Sequence, residues 1–372
     1  MRLGPIEPGS GAEPRLNVEG DVRTLGVTLV ACGLVVSTLA AQPQLGGVGA
    51  DYGVDLRYQV PRTPDGHPDL QGVWGNNGVT PMTRPTQWKG KGVLTEAELQ
   101  ELKSIVAKFA SESGDAIFQN QIQLALDAKE KGKFDQTSYD ASTGNYNQFW
   151  MAERDWDHRT SLVIDPPDGQ IPPLNAEAAT RRSTNNRRTG NVPDRRPDGP
   201  EDLPLSERCV SYGAPRTGAG YNSYLQIVQS PDTVVLQQEM IHDARLISTN
   251  RRPHLPASVR QLHGDSVGWW DGDTLVVETT NYEEGFMGST PDVKLTERYR
   301  RVSADYINWS LTVDDPKQWT GPWTMMIRLK KTDDPIYEYA CHEGNLSMIG
   351  ILAGARMDEK KEAAKAAGKR AR

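Results

Sequence analysis

The chain has 372 residues, with 42 Lys and Arg against 49 Asp and Glu and a formal net charge of −7. It is 37% hydrophobic and 24% charged, which is ordinary for a globular protein and argues against a wholly disordered, coiled-coil, collagen-like or multispanning membrane chain. The acidic balance argues against a nucleic-acid partner, because such binding needs a basic surface.

Residues 1–41 have the pattern of a signal peptide. Arg23 precedes an apolar run that begins at Thr24 and ends in the small residues Ala40 and Ala41. The run is shorter than the ~20 apolar residues of a membrane span. We therefore expect cleavage near Ala40 or Ala41, a periplasmic or secreted protein, and no transmembrane span in the mature chain.

Two features of this segment leave alternatives open. Residues 1–22 are polar and acidic, so the start codon could be assigned too far upstream, with Val22 as the initiator. The sequence Leu-Val-Ala-Cys that ends at Cys32 is typical of lipoproteins, so a lipid anchor at Cys32 is the alternative to simple cleavage. Residues 42–60 then form a leader.

The mature chain divides by composition. Residues 61–222 are predicted to hold a strand at Gly72–Trp74, helices and a long irregular loop, all packed on a barrel. Residues 223–345 are predicted to form an antiparallel β meander or barrel, and residues 346–372 a charged tail that is a solvated helix or a frayed end.

Helices are predicted in two places before the strand run. Thr95 and Glu98 have capping-box spacing ahead of apolar residues at helical spacing, and a second helical pattern covers 115–132. Residues 161–164 read as a strand, and residues 172–208 as a long irregular excursion that is poor in apolar residues.

Short apolar runs separated by turn residues follow from residue 223 onward. The predicted strands cover 223–229, 233–247, 266–270, 273–280, 293–301, 306–313, 323–330 and 336–341. Such spacing is typical of antiparallel barrels and sandwiches. We therefore predict a mainly β fold, an antiparallel up-and-down barrel or strongly curved sheet with N-terminal helical decoration.

Alternation along the strands predicts which side chains face inward, because neighbouring side chains point to opposite faces. Ile307, Leu311 and Val313 share one such face, and Ile327 and Leu329 another. The side chains predicted to contact a ligand inside the barrel are Trp309, Trp323, Met325, Tyr299, Met240 and Arg245.

Glu297 and His242 interrupt their apolar faces. Glu297 lies in line with Val293, Leu295 and Tyr299, and His242 with Val234 to Ala244, although a bulge after Met240 could shift that register. Either Glu297 pairs structurally with an arginine such as Arg245 or Arg260, or Glu297 and His242 form a catalytic acid–base pair.

Two cysteines, Cys209 and Cys341, remain after cleavage. An oxidising compartment favours a disulfide between them over two free thiols. The histidines and carboxylates have no recognisable metal-ligand spacing, so we predict no metal site. There is no dinucleotide-binding glycine fingerprint and no phosphate loop, and no cofactor is predicted.

Several segments resemble a family of exported proteins of unknown function from soil and marine bacteria. The resemblance lies in residues 65–74, 161–174, 239–245, 264–280 and 337–345. Gly72-Val73-Trp74 before antiparallel strands is also similar to the Gly-x-Trp opening of lipocalin-like barrels. The first family implies export, and the second implies a ligand-binding barrel.

Two functions follow from these patterns. The first is an exported protein that holds an apolar or aromatic small molecule in a barrel cavity. The alternative is a cofactor-independent acid–base enzyme, an isomerase, cyclase, lyase or hydrolase, that uses the same cavity. Convergence of Glu297 and His242 on one pocket would distinguish the enzyme from the binding protein.

Overall fold

The computed structural model describes residues 52–55, 57–113, 121–132, 153–186 and 196–370. The predicted signal peptide, Cys32, most of the predicted leader and the start of the predicted second helix lie outside these residues. The predicted division of the chain at residues 61, 223 and 346 stays a prediction.

Antiparallel β-structure dominates the described residues. Their strands are β1 (Gly72–Gly75), β2 (Val163–Asp165), β3 (Tyr224–Ser230), β4 (Thr233–Gln238), β5 (Ala244–Ser248), β6 (Asp265–Asp271), β7 (Thr274–Thr280), β8 (Lys294–Arg301), β9 (Tyr306–Asp314) and β10 (Trp323–Thr332). In the sheet, β1 is followed by β3 to β10 in chain order, and β2 lies beside β10.

Strand β1 closes the sheet into a nine-stranded barrel. Val73 lies opposite Gln226 of β3 on one side and opposite Thr332 of β10 on the other. The predicted mainly β barrel with helical decoration is therefore confirmed. One neighbour pair departs from the antiparallel order, since β5 and β6 run parallel and are joined at Ser248 and Val267.

The predicted inward faces form the barrel core. Ile307, Trp309, Ile327 and Leu329 are buried in one cluster, which extends to Trp74 of β1. A second cluster at the other end of the strands is formed by Val163, Tyr282, Phe286, Val293, Leu295, Leu311, Val313, Trp319, Trp323 and Met325.

The outer faces of β9 and β10 are also covered, although the alternation predicts that they contact water. The backbone of Met326 accepts a hydrogen bond from Arg159 Nη1 (2.7 Å), and Asn308 Nδ2 donates to the carbonyl of Tyr52 (2.8 Å). The segments that precede β2 therefore pack against this side of the barrel.

The predicted strand 233–247 is divided at a bulge. Met240–His242 forms a short 3-10 turn in which Ile241 and His242 have positive φ angles of 54° and 46°. The turn shifts the alternation by one residue, so Ala244 is exposed and Arg245 is buried. The prediction that His242 and Ala244 share the inward face is therefore wrong.

Three of the described α-helices precede β3 in the chain, and one follows β10. They are α1 (Glu96–Ser113), α2 (Gln121–Lys131), α3 (Ala176–Asn186) and α4 (Leu346–Arg370). The capping box is confirmed, because the amide of Thr95 donates to Glu98 (2.9 Å) and the amide of Glu98 donates to Thr95 Oγ1 (3.3 Å). The charged tail is the solvated helix α4, one of its two predicted forms.

Two local predictions are corrected. Helix α3 lies within the excursion predicted to be irregular, where Asn175 Oδ1 caps it by accepting from the amide of Ala178 (2.8 Å). Residues 336–341 are not a strand. They cannot extend the sheet as an eighth member of a meander, because β1 already occupies the edge of β10.

The predicted disulfide joins Cys209 to Cys341. It fixes the segment that follows β10 to the loop that leads into β3. Among the described helices, none has the length and apolarity needed to cross a membrane.

Candidate ligand-binding cleft

Glu297 is held in the barrel interior by a structural ion pair. Its carboxylate accepts from both Arg245 Nη1 (2.7 Å) and Arg245 Nη2 (2.9 Å). Tyr299 Oη and Trp309 Nε1 also donate to Glu297 Oε2, at 2.7 Å and 3.2 Å. The pair with Arg245, one of the two predicted alternatives, is therefore present.

This network raises the pKa of two of its members, Arg245 and Tyr299. Burial opposes the charge of Arg245, but the adjacent Glu297 outweighs it and raises the pKa of the guanidinium. Burial, followed by the charge of Glu297, raises the pKa of Tyr299 well above its ordinary value. Glu297 has no exposed surface and is saturated by four donors, so it is not available to a substrate in this arrangement.

His242 lies apart from this network. Its side chain is exposed on the bulge between β4 and β5. The prediction that His242 and Glu297 face one cavity is wrong, because the bulge turns His242 away from the interior. The acid–base alternative therefore loses the pair of groups on which it was based.

Side chains fill most of the barrel interior. Tyr299 and Trp309 stack with their ring centroids 5.5 Å apart, and Trp323 and Met325 belong to the second core cluster. The remaining cavity beside Arg245, Tyr299 and Trp309 measures about 20 Å³, which holds about one water molecule. Five of the six predicted ligand-contacting residues therefore lie in packed interior rather than in a ligand-sized space.

A much larger cleft lies at the end of the barrel where β1, β4 and β7 terminate. It measures about 1390 Å³, enough for a small molecule. Met240, the sixth predicted ligand-contacting residue, lines it. Its apolar and aromatic lining includes Val79, Met82, Trp156, Leu162, Tyr212, Tyr221, Tyr282, Phe286, Met287, Tyr306 and Ile327.

One wall of the cleft is the loop of residues 211–221, which is anchored at several points. Asn76 Nδ2 donates to the carbonyls of Thr217 (3.1 Å) and Gly218 (3.2 Å), directly after β1 ends. Tyr282 Oη donates to the carbonyl of Ala214 (3.2 Å). The wall is therefore positioned by β1 and by the loop that follows β7.

A buried polar cluster holds the start of this loop. Ser211 Oγ donates to Asp243 Oδ2 (2.9 Å) and lies 2.8 Å from His263 Nε2. Burial lowers the pKa of His263, and Arg245 adds to that effect while Asp243 opposes it. Ser211 is buried and also accepts from the amide of Gly213 (2.8 Å), so the cluster fixes the start of the loop.

Five arginines line the cleft, and they differ in their partners. Arg159 forms an ion pair with Asp157 (2.6 Å), and Arg84 Nε donates to Thr160 Oγ1 (3.0 Å). Arg328 lies over the ring of Tyr306, with Cζ 4.0 Å from the ring centroid. Arg154 and Arg216 are the other two.

Arg154 and Arg216 reach the same stretch of the wall. Arg216 Nη2 donates to the carbonyl of Tyr221 (2.8 Å). Arg154 Nη1 packs against Gly220, only 1.7 Å from where a Cβ on that glycine would stand. In the described part of the chain, no acceptor contacts the buried Nε and Nη1 atoms of either arginine.

Sequence reasoning did not find these cleft residues. Arg154 lies in a polar stretch with scattered aromatics, and Arg216 lies in a loop rich in glycine and proline. The one available signal was the pair of Tyr212 and Tyr221 in that loop, two large aromatics outside any strand. In the described residues, no cluster of histidine, cysteine and carboxylate side chains could hold a metal ion.

The geometry defines a closed antiparallel β-barrel with a packed interior and an open, ligand-sized cleft at one end. No family model and no curated protein matches the chain. Comparison with solved structures finds a mutant of the fluorescent protein UnaG, with 12% sequence identity over 35% of this chain and 86% of that chain and a TM-score of 0.20. A likeness this weak carries no argument about function.

Proposed function

We propose that this protein binds a small, mainly apolar or aromatic molecule in the cleft at the end of the barrel. The observation that supports this proposal most directly is the contrast in volume, about 1390 Å³ in the cleft against about 20 Å³ in the interior. We keep the predicted ligand class, an apolar or aromatic small molecule, and propose the cleft as its binding site instead of the barrel interior.

The lining of the cleft supports an apolar body for the ligand. Tyr212, Tyr221 and Met287 are partly exposed at its rim, where a bound aromatic molecule would cover them. Covering apolar surface contributes about 25 cal/mol for each Å² removed from water. The aromatic rings of the lining come from four separate segments, which give an aromatic ligand several faces to stack on: Trp156, Tyr212 with Tyr221, Tyr282 with Phe286, and Tyr306.

A fluorescence titration tests this proposal. Phenylnaphthylamine is a neutral aromatic probe whose emission rises in apolar surroundings, and we expect it to bind saturably. Ala219→Trp places a large side chain in the cleft and should weaken this binding by about tenfold or more. Leu246→Trp adds the same side chain to the exposed outer face of β5 and should leave binding unchanged.

Two outcomes contradict the proposal. The first is an absence of saturable probe binding to the folded protein. The second is equal binding by Ala219→Trp and the wild type, which would place the probe outside the cleft. Thermal melts of both variants establish that each is folded before the titrations are compared.

We also propose that the protein is exported, with its signal peptide removed near Ala40 or Ala41. The disulfide between Cys209 and Cys341 supports this, because disulfides persist in oxidising compartments. Mass spectrometry of fractionated cells tests it. A mature N-terminus near residue 42 supports cleavage, a diacylglycerol on Cys32 supports the lipid-anchored alternative, and an intact cytoplasmic chain contradicts export.

A further inference from the structure

We infer that the cleft contains an anion subsite formed by Arg154 and Arg216, and that its ligand is an organic oxyanion, a carboxylate or sulfonate carried on an apolar body. This inference rests on the proposed function and names the chemical class of the ligand. Its basis is that two buried nitrogens of each guanidinium, Nε and Nη1, have no acceptor among the described residues, and that neither group has a carboxylate partner there, unlike Arg245 and Arg159. Arg328, in the same cleft, lacks an acceptor only at Nε.

Two other buried arginines, Arg245 and Arg159, each have a carboxylate partner. Arg245 meets Glu297 through two hydrogen bonds, and Arg159 meets Asp157 in the same cleft. A buried charge without such a partner is costly, because it loses its water and gains nothing in return. Arg154 and Arg216 are half-buried, and the buried Nε and Nη1 atoms of each guanidinium have no acceptor among the described residues.

The nearby carboxylates do not supply that acceptor. Asp155, next to Arg154, forms its ion pair with Lys330 (3.2 Å). Asp157 is held by Arg159. Glu239 acts on Arg216 through its charge without a hydrogen bond between them: its Oε1 accepts from the amide of Tyr337 (3.5 Å), and its buried Oε2 has no hydrogen-bond partner among the described residues.

The pKa values of the two arginines agree with this geometry. Burial lowers the pKa of Arg154, and the nearby Asp155 only partly offsets it. Burial also lowers the pKa of Arg216, against smaller opposing effects from Tyr212, Tyr339 and Glu239. An oxyanion between the two groups would accept hydrogen bonds from these N–H donors. Its negative charge would also offset the lowering of both pKa values by burial.

The wall is shaped to bring the two groups to one place. Gly220 has a positive φ of 93° and no side chain, which leaves room for the Arg154 guanidinium against its backbone. Arg216 is held over the ring of Tyr212, with Cζ 5.0 Å from the centroid. Each group offers Nε and Nη1 donors that meet no acceptor among the described residues, and the several oxygens of a carboxylate or sulfonate match such donors from two guanidinium groups.

The surroundings indicate that the anion carries an apolar body. Tyr212 and Met287 flank the subsite, and Thr217 Oγ1 lies 3.7 Å from Met287 Sδ, which joins the two sides of the cleft there. A small inorganic anion would satisfy the arginines but would leave these side chains uncovered. The arrangement therefore fits an amphipathic organic anion.

A matched pair of probes tests the subsite. Anilinonaphthalene sulfonate has nearly the same rings as phenylnaphthylamine and adds a sulfonate. We expect the wild type to bind the sulfonate about tenfold or more tightly than the neutral probe, since a charge-assisted hydrogen bond is stronger than a neutral one. Arg154→Met and Arg216→Met should each remove this preference, measured as the ratio of the affinities of the same variant for the two probes.

The control is Arg298→Met, which changes the net charge equally but lies exposed on the outer face of β8, paired with Asp271. It should keep the preference for the sulfonate. Binding of the neutral probe serves as the check that each variant is folded with its cleft intact. A preference that survives both cleft variants, or that is also lost in Arg298→Met, would overturn the subsite.

The outcomes separate this inference from the proposed function. If the wild type binds both probes equally in the cleft, the proposed function stands and the anion subsite fails. If it binds neither probe, both fail. Displacement of the sulfonate probe by naphthoate but not by inorganic phosphate supports an organic oxyanion, and the reverse result overturns it.

Discussion

The barrel interior and the end cleft differ in whether their buried charged groups have a partner. Inside the barrel, Arg245 and Glu297 neutralise each other and leave space for about one water molecule. In the cleft, the buried Nε and Nη1 atoms of Arg154 and Arg216 meet no acceptor from the described part of the chain, beside a volume of about 1390 Å³. The difference shows why a buried charge alone does not indicate a binding site: Arg245 is more deeply buried than the two cleft arginines but already has its partner, Glu297.

The largest effect is expected from breaking the interior pair. Glu297→Gln keeps the shape but leaves Arg245 without a counter-charge, and breaking a truly buried pair costs on the order of 3–5 kcal/mol. We expect a clear fall in the free energy of unfolding, measured by denaturant titration. Glu338→Gln, on an exposed segment, is the control and should change little.

A double variant sharpens this prediction. Glu297→Gln combined with Arg245→Met removes both charges, and should recover most of the lost stability because no unpaired ion remains. An unchanged melt for Glu297→Gln alone would contradict a structural role for the pair and reopen the acid–base alternative.

The next largest effect concerns the cleft wall. Replacing Cys209 and Cys341 together by serine removes a cross-link between residues separated by 132 positions, and disulfides typically contribute about 2–4 kcal/mol. We also expect weaker binding of phenylnaphthylamine, because the loop that carries Tyr212 loses one anchor. Retention of full probe affinity would show that Ser211 and Asn76 hold the wall without the disulfide.

A smaller, pH-dependent effect is expected at Asp265, at the same end of the barrel. Burial disfavours its charge, but Arg252, the amide of Leu255 and His254 outweigh burial and lower its pKa from 3.8 to about 2. Between these values the unfolded state binds the proton and the folded state does not. Stability should therefore fall by about 2 kcal/mol as the pH drops through this window.

The variant Asp265→Asn tests this assignment. It should be less stable near neutral pH and should lose most of the acid dependence between pH 3.8 and about 2. Denaturant titrations at several pH values measure both changes. An equally steep acid dependence in the variant would assign the effect to other carboxylates.

Local alternation was enough to predict much of the barrel. The strands from Tyr224 to Thr332 repeat with a period of two, and each hairpin has its own turn residues, so their inward faces follow from the sequence. The cost of a buried carboxylate indicated an arginine partner for Glu297, with Arg245 or Arg260 as candidates, and Arg245 is the one present. Alternation failed for His242, since two residues with positive φ reverse the faces and nothing in the composition of that strand requires them.

The cleft could not be predicted in this way. Arg154 and Arg216 lie in irregular segments, and what distinguishes them from surface arginines is the burial imposed by parts of the chain that are distant in sequence. Periodicity describes one element at a time. A site built where three loops meet at the end of a barrel has no periodic signal.

The position of β1 has a consequence for the order in which the fold forms. Among the described strands β1 comes first in the chain, yet it pairs with β3 and with β10, the last of them. Loop-closure entropy grows only slowly with length, so these distant pairings cost little stability, but they do slow folding. During synthesis the ring therefore stays open until β10 has been made, because only then can the pairing of β1 with β10 form.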